Sequence, residues 1–312
     1  MPNIKHAFTS GKADGPDATL VQPSNWNAEH VVDQYIDYPD QANIPAAPSA
    51  GSLRTFARAR AGRLLPHFVG PSGLDSALQP ALFGNSVYMW LPGTGTTLAI
   101  NFGTSFTARN NGTSAAQAHP TKTSTNALTS MNRATFGTGT TATGTSGVQS
   151  TATVAWRGNA TNLGGFFFFS RFGVETHEAS MRYMIGLTAN NAAMAADPST
   201  LANSILLVKD AADANWFVST RNATTGTKTP TGLAVAANDV LDFLIFCRPN
   251  DTKVTVRLVN AVTGVVYLDD VEITSTLPVN TTFMYMWAGC MSTVGTTAKL
   301  LALNRLYLET DL

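Results

Sequence analysis

The sequence predicts a mainly β protein with an extended N-terminal arm, a β-hairpin stem and a C-terminal antiparallel β-sandwich of jelly-roll type. Three observations carry this. Short runs rich in β-branched and aromatic residues recur from about residue 85 onward, with turn formers between them. One stretch of that half, residues 198–203, reads as helical, with Asp197 as N-cap and Pro198 at the first helical position. The first 45 residues hold Gly11, Gly15, Pro16, Pro23, Asn25, Pro39 and Pro45 and no sustained period. The expected organisation is a docking arm over 1–45, a linker and Arg-rich hairpin over 46–84, and a distal sandwich over 85–312.

The arm is too poor in apolar residues to fold alone. Yet it carries Pro23-Ser24-Asn25-Trp26-Asn27-Ala28-Glu29-His30. A tryptophan favours a buried face and a paired N–H. A polar arm with such anchors reads as a segment that orders on a partner surface; the plainer reading is a tail with a chance aromatic. Residues 24–36 predict one short helix, capped by Ser24 or Asn25, with Ala28, Val31, Val32 and Tyr35 as its apolar stripe. Residues 44–52 read as a linker.

Residues 52–69 have a hairpin pattern with Gly62 in the turn. Period two places Arg54, Phe56, Arg58 and Arg60 on one face and Leu53, Thr55, Ala57 and Ala59 on the other. The small-residue face suits packing against another copy. The arginine face, with Arg63 beyond the turn, is solvated or meets carboxylates of a partner. Nucleic acid is disfavoured: 20 basic and 20 acidic residues cancel, and Phe56 is the one aromatic among these arginines.

Distal strands are expected over 86–91, 97–102, 148–156, 165–172, 182–188, 215–221, 240–248, 252–260, 265–273, 282–291 and 297–309. Pro249-Asn250-Asp251 and Thr263-Gly264 are the clearest turns. Val254, Val256 and Leu258 alternate with Thr255, Arg257 and Val259, one face in and one out. Phe166 to Phe169 put rings on both faces of one strand, which predicts burial on both sides and an oligomer. The Gly/Thr-rich residues 137–147 read as a long loop.

Charged residues make up 13% of the chain, about half the usual ~25%, and the formal net charge is zero. This excludes a basic field for nucleic acid and a polybasic membrane patch. No apolar run approaches the ~18 residues of a membrane span, so no membrane insertion is expected. The polar start lacks an apolar signal core, which predicts a cytoplasmic origin. Cys247 and Cys290 lie in strand-like runs and read as buried free thiols. His6, His30, His67, His119 and His177 are scattered without metal-ligand spacing, so neither metal nor cofactor is signalled. No nucleophile elbow and no phosphate loop is present. The carboxylate pairs Glu175/Glu178, Asp210/Asp213 and Asp270/Glu272 are the remaining catalytic option, because glycoside hydrolysis needs only two. Asp210, Asp213, Asn215 and Trp216 form a candidate sugar site, with the indole stacking on a ring while Asp and Asn bond its hydroxyls. The alternative is Trp216 as a core aromatic.

Ile4-Lys5-His6-Ala7-Phe8-Thr9-Ser10 with Pro23 through His30 is similar to the N-terminus of fibre-like virion proteins of tailed bacteriophages. Phe56 through Arg63 and Gly70 through Pro80 resemble their second segment. Gly164-Gly165-Phe166, Arg171-Phe172-Gly173, Asp197 through Leu201 and Leu306 through Leu312 resemble landmarks of their distal domain. The likeness runs in order along nearly the whole chain; it departs at Leu312, where an aromatic is expected. It implies a homotrimeric fibre, assembled in the host cytoplasm and resident in the virion. His6, Phe8, Trp26, Asn27 and His30 would dock to a tail, baseplate, collar or capsid protein. Arg54, Phe56, Arg58, Arg60 and Arg63 would organise the trimer stem. The distal domain would bind a host-surface glycan or protein without enzymatic action. The other readings are a decorating fibre without receptor and a polysaccharide depolymerase.

Overall fold

The computed structural model describes residues 3–4, 13–16, 30–31, 38–41, 43–60, 63–71, 75–77, 86–93, 99–112, 115–140, 142–160, 163–294 and 300–310. The chain divides into two units, Met1–Leu78 and Gln79–Leu312.

In the first unit β1 (Asn3–Ile4) pairs antiparallel with β2 (His30–Val31). His30 and Val31 are thus extended, where a short helix over 24–36 was expected. The rest of that span, apart from Val31, lies outside the described residues. β3 (Arg54–Arg60), β4 (Arg63–Val69) and β5 (Asp75–Ala77) form an antiparallel sheet. Arg60 faces Arg63, so the expected hairpin is present. Phe56 stands opposite His67, and their rings stack at 5.4 Å. The two faces do not divide as expected. Phe56 and its neighbour Ala57 are both buried. Ala57 bridges Asp40 in parallel, and its carbonyl accepts the Gln41 N–H at 2.9 Å. At Ala57 the strand edge is therefore paired by the chain's own backbone.

The second unit contains β6 (Ser86–Pro92), β7 (Ala99–Phe102), β8 (Phe106–Ala108), β9 (Ala115–Ala118), β10 (Ala134–Gly137), β11 (Thr145–Ser150), β12 (Phe166–Thr176) and β13 (Arg182–Thr188). It continues with β14 (Ser204–Lys209), β15 (Asn215–Arg221), β16 (Gly226–Ala234), β17 (Val240–Cys247), β18 (Val254–Asn260), β19 (Val266–Ile273), β20 (Tyr285–Met291) and β21 (Leu300–Thr310). Two antiparallel sheets result. One is nine-stranded, β19-β18-β17-β12-β21-β10-β9, with β6 also on β21 and β7 on β6. The other is seven-stranded, β16-β15-β14-β13-β20-β11-β8. β21 is the hub of the larger sheet: β12 runs along one side of it, while β10 and β6 share the other.

Alternation explains the sandwich. Val254, Val256 and Leu258 of β18 are buried, and Thr255, Arg257 and Val259 between them are not. On β12, Phe166, Phe168 and Phe172 enter the shared core with Phe243, Ile245, Leu303 and Leu308 of the same sheet. Tyr183, Ile185, Leu207, Trp216, Val218 and Met286 meet them from the other sheet. Phe167 and Phe169 face outward and are half-buried; the Arg305 guanidinium carbon lies 5.8 Å from the Phe169 ring centre.

Several expectations fail locally. Residues 137–147 are not one loop, because β10 ends at Gly137 and β11 begins at Thr145. Gly147 is pressed against β20: a Cβ there would sit 2.5 Å from the Ala288 carbonyl oxygen. β14 was not anticipated. Its apolar run Ile205 to Val208 is buried on both sides, Ile205 and Leu207 in the core and Leu206 and Val208 beneath Met194 and Leu201. β8, β9, β10 and β16 were missed as well. Helix α1 (Ala127–Ser130) is one turn, closed by a capping box of Asn126 and Thr129. Pro198–Thr200 is a 3₁₀ turn whose Asp197 makes no side-chain cap.

Candidate functional site

His6, Phe8, Trp26 and Asn27 lie outside the described residues. His30 is in β2. Of the stem residues, Arg54 donates from Nη1 to the Ala46 carbonyl at 2.6 Å, Phe56 is buried and Arg58 half-buried. Arg60 and Arg63 close the hairpin, with side chains outside the described set.

Asp210 and Asp213 lie in the turn between β14 and β15, with Asn215 opening β15, and the two carboxylates serve as scaffold. The Asp210 carboxylate accepts the Ser199 N–H at 3.1 Å, the Ser199 hydroxyl at 2.5 Å and Lys228 Nζ at 2.9 Å. Asp213 accepts the Asp210 N–H at 3.0 Å and Lys228 Nζ. Asp197 accepts Arg182 Nε at 2.5 Å and the Ala211 N–H at 3.0 Å. These bonds outweigh burial and hold the Asp197 carboxyl below its ordinary range. Lys209 is fully buried, with Nζ donating to the carbonyls of Ala179, Met181 and Asp210. Burial pulls its pKa down to about 8, against the attraction of Asp213, Asp197 and Asp210.

Trp216 corrects the sugar-site reading. It is 1% exposed, packed edge-on to Phe172 at 5.5 Å and tilted on Tyr183 at 5.5 Å. No ligand reaches a face of that indole without opening the core. The candidate catalytic carboxylates are engaged as well. Glu175 bonds Arg133 Nε, Glu272 bonds Lys253 at 2.5 Å, and Asp270 lies 3.4 Å from Arg257. Among the described residues no group of three or more His, Cys, Asp or Glu is placed to hold a metal ion.

A different surface is built for contact. Residues 151–160 and 163–165 and the segments 248–253 and 274–284 meet at one edge of the sandwich. An antiparallel bridge joins Ala155 to Met284, with Met284 N–H donating to Ala155 O at 2.7 Å. In that register the next residues, Trp156 and Phe283, stand opposite each other. Their rings stack at 4.8 Å with an interplanar angle of 16°. Phe283 remains 50% exposed.

Main-chain bonds lace these loops together. Gly158 N–H donates to Asn280 O at 3.0 Å, Asn250 N–H to Arg157 O at 2.8 Å and Gly165 N–H to Trp156 O at 3.0 Å. Gly158, at φ +88°, has no room for a side chain: a Cβ would lie 1.7 Å from the Leu163 carbonyl oxygen. Arg157 points inward and is 8% exposed; Nη1 donates to Pro278 O at 2.8 Å and Nη2 to Asp251 O. The amides of Asn250 and Asn280 touch at the surface, Nδ2 of Asn280 donating to Oδ1 of Asn250 at 3.4 Å. The sequence reading placed Trp156 and Phe283 at the ends of two strands. Gly158-Asn159 was the one local sign of a turn beside this indole.

No family model and no curated protein matches the chain. Among solved structures, a protein of unknown function from Shewanella oneidensis is similar, with TM-score 0.51 and 12% identity over 73% of this chain and 87% of that one. Peanut lectin has TM-score 0.47 and 6% identity, covering 72% of this chain and 97% of that one. Arcelin-5, a lectin-like defence protein of Phaseolus vulgaris, has TM-score 0.43 and 10% identity over 72% and 98%. At this identity the Shewanella likeness shows the fold alone, and the distal unit is an antiparallel β-sandwich by its own sheet topology.

Proposed function

We propose that the chain is a fibre-like bacteriophage virion protein whose sandwich attaches to a host-surface glycan and performs no chemistry on it. The sequence resemblance motivates the setting. The carrying observation is the stack of half-exposed Phe283 on half-buried Trp156, on loops laced by main-chain hydrogen bonds. A rigid aromatic surface binds without a large ordering cost. The cations on Glu175, Asp270 and Glu272 and the Lys228 bonds to Asp210 and Asp213 argue for attachment rather than hydrolysis. In this reading three copies associate. Linked weak contacts then combine into firm adhesion, because later contacts form at high effective concentration. Outward Phe167 and Phe169 support association between copies.

The test is retention of the full chain on an array of bacterial surface polysaccharides. Retention without shortening is expected. Shortened oligosaccharides in the wash would replace attachment with depolymerisation. Retention on nothing in the array would overturn the attachment reading in favour of a decorating fibre. Removal of residues 1–45 is expected to abolish incorporation into particles; truncated chain that still joins particles would refute the docking role.

A further inference from the structure

Resting on that attachment reading, we infer that Phe283 is the stacking ring of a site for a neutral hexose unit, with Trp156 as its backing ring. Four observations lead there.

The first is the geometry of the pair. Trp156 covers one face of Phe283 nearly in parallel, at 4.8 Å and 16°. Trp156 occupies one face of Phe283 only, and half of the residue stays exposed. A pyranose has one side lined by C–H bonds, whose weakly positive hydrogens match the negative face of an aromatic ring. A single flat ring face is the size of one such sugar.

The second is the pair of amides carried by the same laced loops. A sugar stacked on Phe283 presents hydroxyls at its rim, and these need partners. Asn280 lies three positions before Phe283, and its amide touches that of Asn250. A side-chain amide offers two donors and two acceptor sites. The one bond between these two leaves hydrogen-bonding capacity on both.

The third is rigidity. The Ala155–Met284 bridge, the Gly158–Asn280 bond and the Asn250–Arg157 bond fix the loops that carry these groups. Arg157 fastens them from beneath by holding the Pro278 and Asp251 carbonyls. Asn250 itself is held at φ +54°, in the left-handed region.

The fourth is charge. Arg157 is turned inward onto carbonyls. Arg248 lies 4.0 Å from Asp251, and Lys253 is bonded to Glu272. Arg157 and Lys253 are thus engaged within the chain, while Arg248 stays 45% exposed. An acidic sugar would find two of these three cations engaged, whereas a neutral one needs none.

The experiment compares four full-length proteins on the polysaccharide array: wild type, Phe283→Ala, Phe283→Trp and Trp156→Phe. Retention of wild type on neutral polysaccharides is expected. Phe283→Ala should weaken it at least tenfold, with only a small fall in melting temperature of about 2–4 °C, because the ring is half in water. Phe283→Trp should keep or strengthen binding, since the larger ring still offers a flat face. Trp156→Phe should bind more weakly than wild type and better than Phe283→Ala, as a smaller backing ring allows. The site is overturned if Phe283→Ala is retained as well as wild type, if Phe283→Trp fails to rescue, or if only acidic polysaccharides retain the protein. Each of those results leaves the attachment reading standing. Absence of retention for wild type itself removes both.

Discussion

Replacing Arg157 with alanine should cut the inner tie of the loop end, and the size of the effect follows from its contacts. The guanidinium is buried and donates to the carbonyls of Pro278 and Asp251. A hydrogen bond from a charged donor contributes about 1.5–3 kcal/mol, so two amount to roughly 3–6 kcal/mol gross. Alanine also removes the cost of burying the charge, which offsets part of this. The net loss should be about 3 kcal/mol. A unit spanning Gln79–Leu312 shifts its melting temperature by about 2–4 °C per kcal/mol, which gives roughly 6–12 °C. The control is Arg248→Ala: that side chain is 45% exposed and 4.0 Å from Asp251, and its loss should stay within about 0.5 kcal/mol. Scanning calorimetry of the three proteins decides. A melting shift for Arg157→Ala no larger than that for Arg248→Ala would show that the carbonyl ties do not hold the loops.

Three further outcomes are expected. Lys209 has a folded-state pKa near 8, below its ordinary 10.5, so between those values the unfolded chain binds a proton that the folded chain lacks. Wild type should therefore gain stability relative to Lys209→Met as pH rises from about 8 towards 10.5; urea midpoints that move in parallel would refute it. Burial pushes the Cys247 thiol up to about 11 and the Cys290 thiol up to about 12. Neither should react with a thiol-disulfide reagent at neutral pH until the chain is denatured, and rapid native-state labelling would contradict their burial. Phe168 is fully buried, edge-on to Phe243 at 6.4 Å, so Phe168→Ala should cost about 3–5 kcal/mol in urea denaturation; a loss under about 1 kcal/mol would place that ring outside the core.

Alternation was legible where a strand is buried on one side: Val254, Val256 and Leu258 of β18 are buried as expected, and Thr255, Arg257 and Val259 are not. Ser204–Lys209 was missed for a physical reason. Both of its faces are covered, one by the opposite sheet and one by the segment carrying Met194 and Leu201. Burial on both sides erases the period-two signal and leaves a short apolar run that periodicity alone does not classify. The Gly/Thr-rich stretch misled in the opposite direction. Its composition resembles that of a loop, but at Gly147 the missing side chain is what lets β11 lie against β20.

The site was harder to read than the fold, and Trp216 shows why. Asp210, Asp213, Asn215 and Trp216 are close in sequence, and closeness suggested one surface. On a strand, neighbours point to opposite faces. Phe217 faces outward beneath the Lys228 ammonium, 4.4 Å from its ring centre, which sends Trp216 into the core. Trp156 and Phe283 show the converse. They are far apart in sequence, and no local pattern links them. Only the pairing of Ala155 with Met284 sets one ring against the other. A slip of one residue in that register would turn Trp156 to the opposite face and leave Phe283 without its backing ring. A composite aromatic site therefore resides in strand register, and register between distant segments is decided by the packing of the whole sandwich.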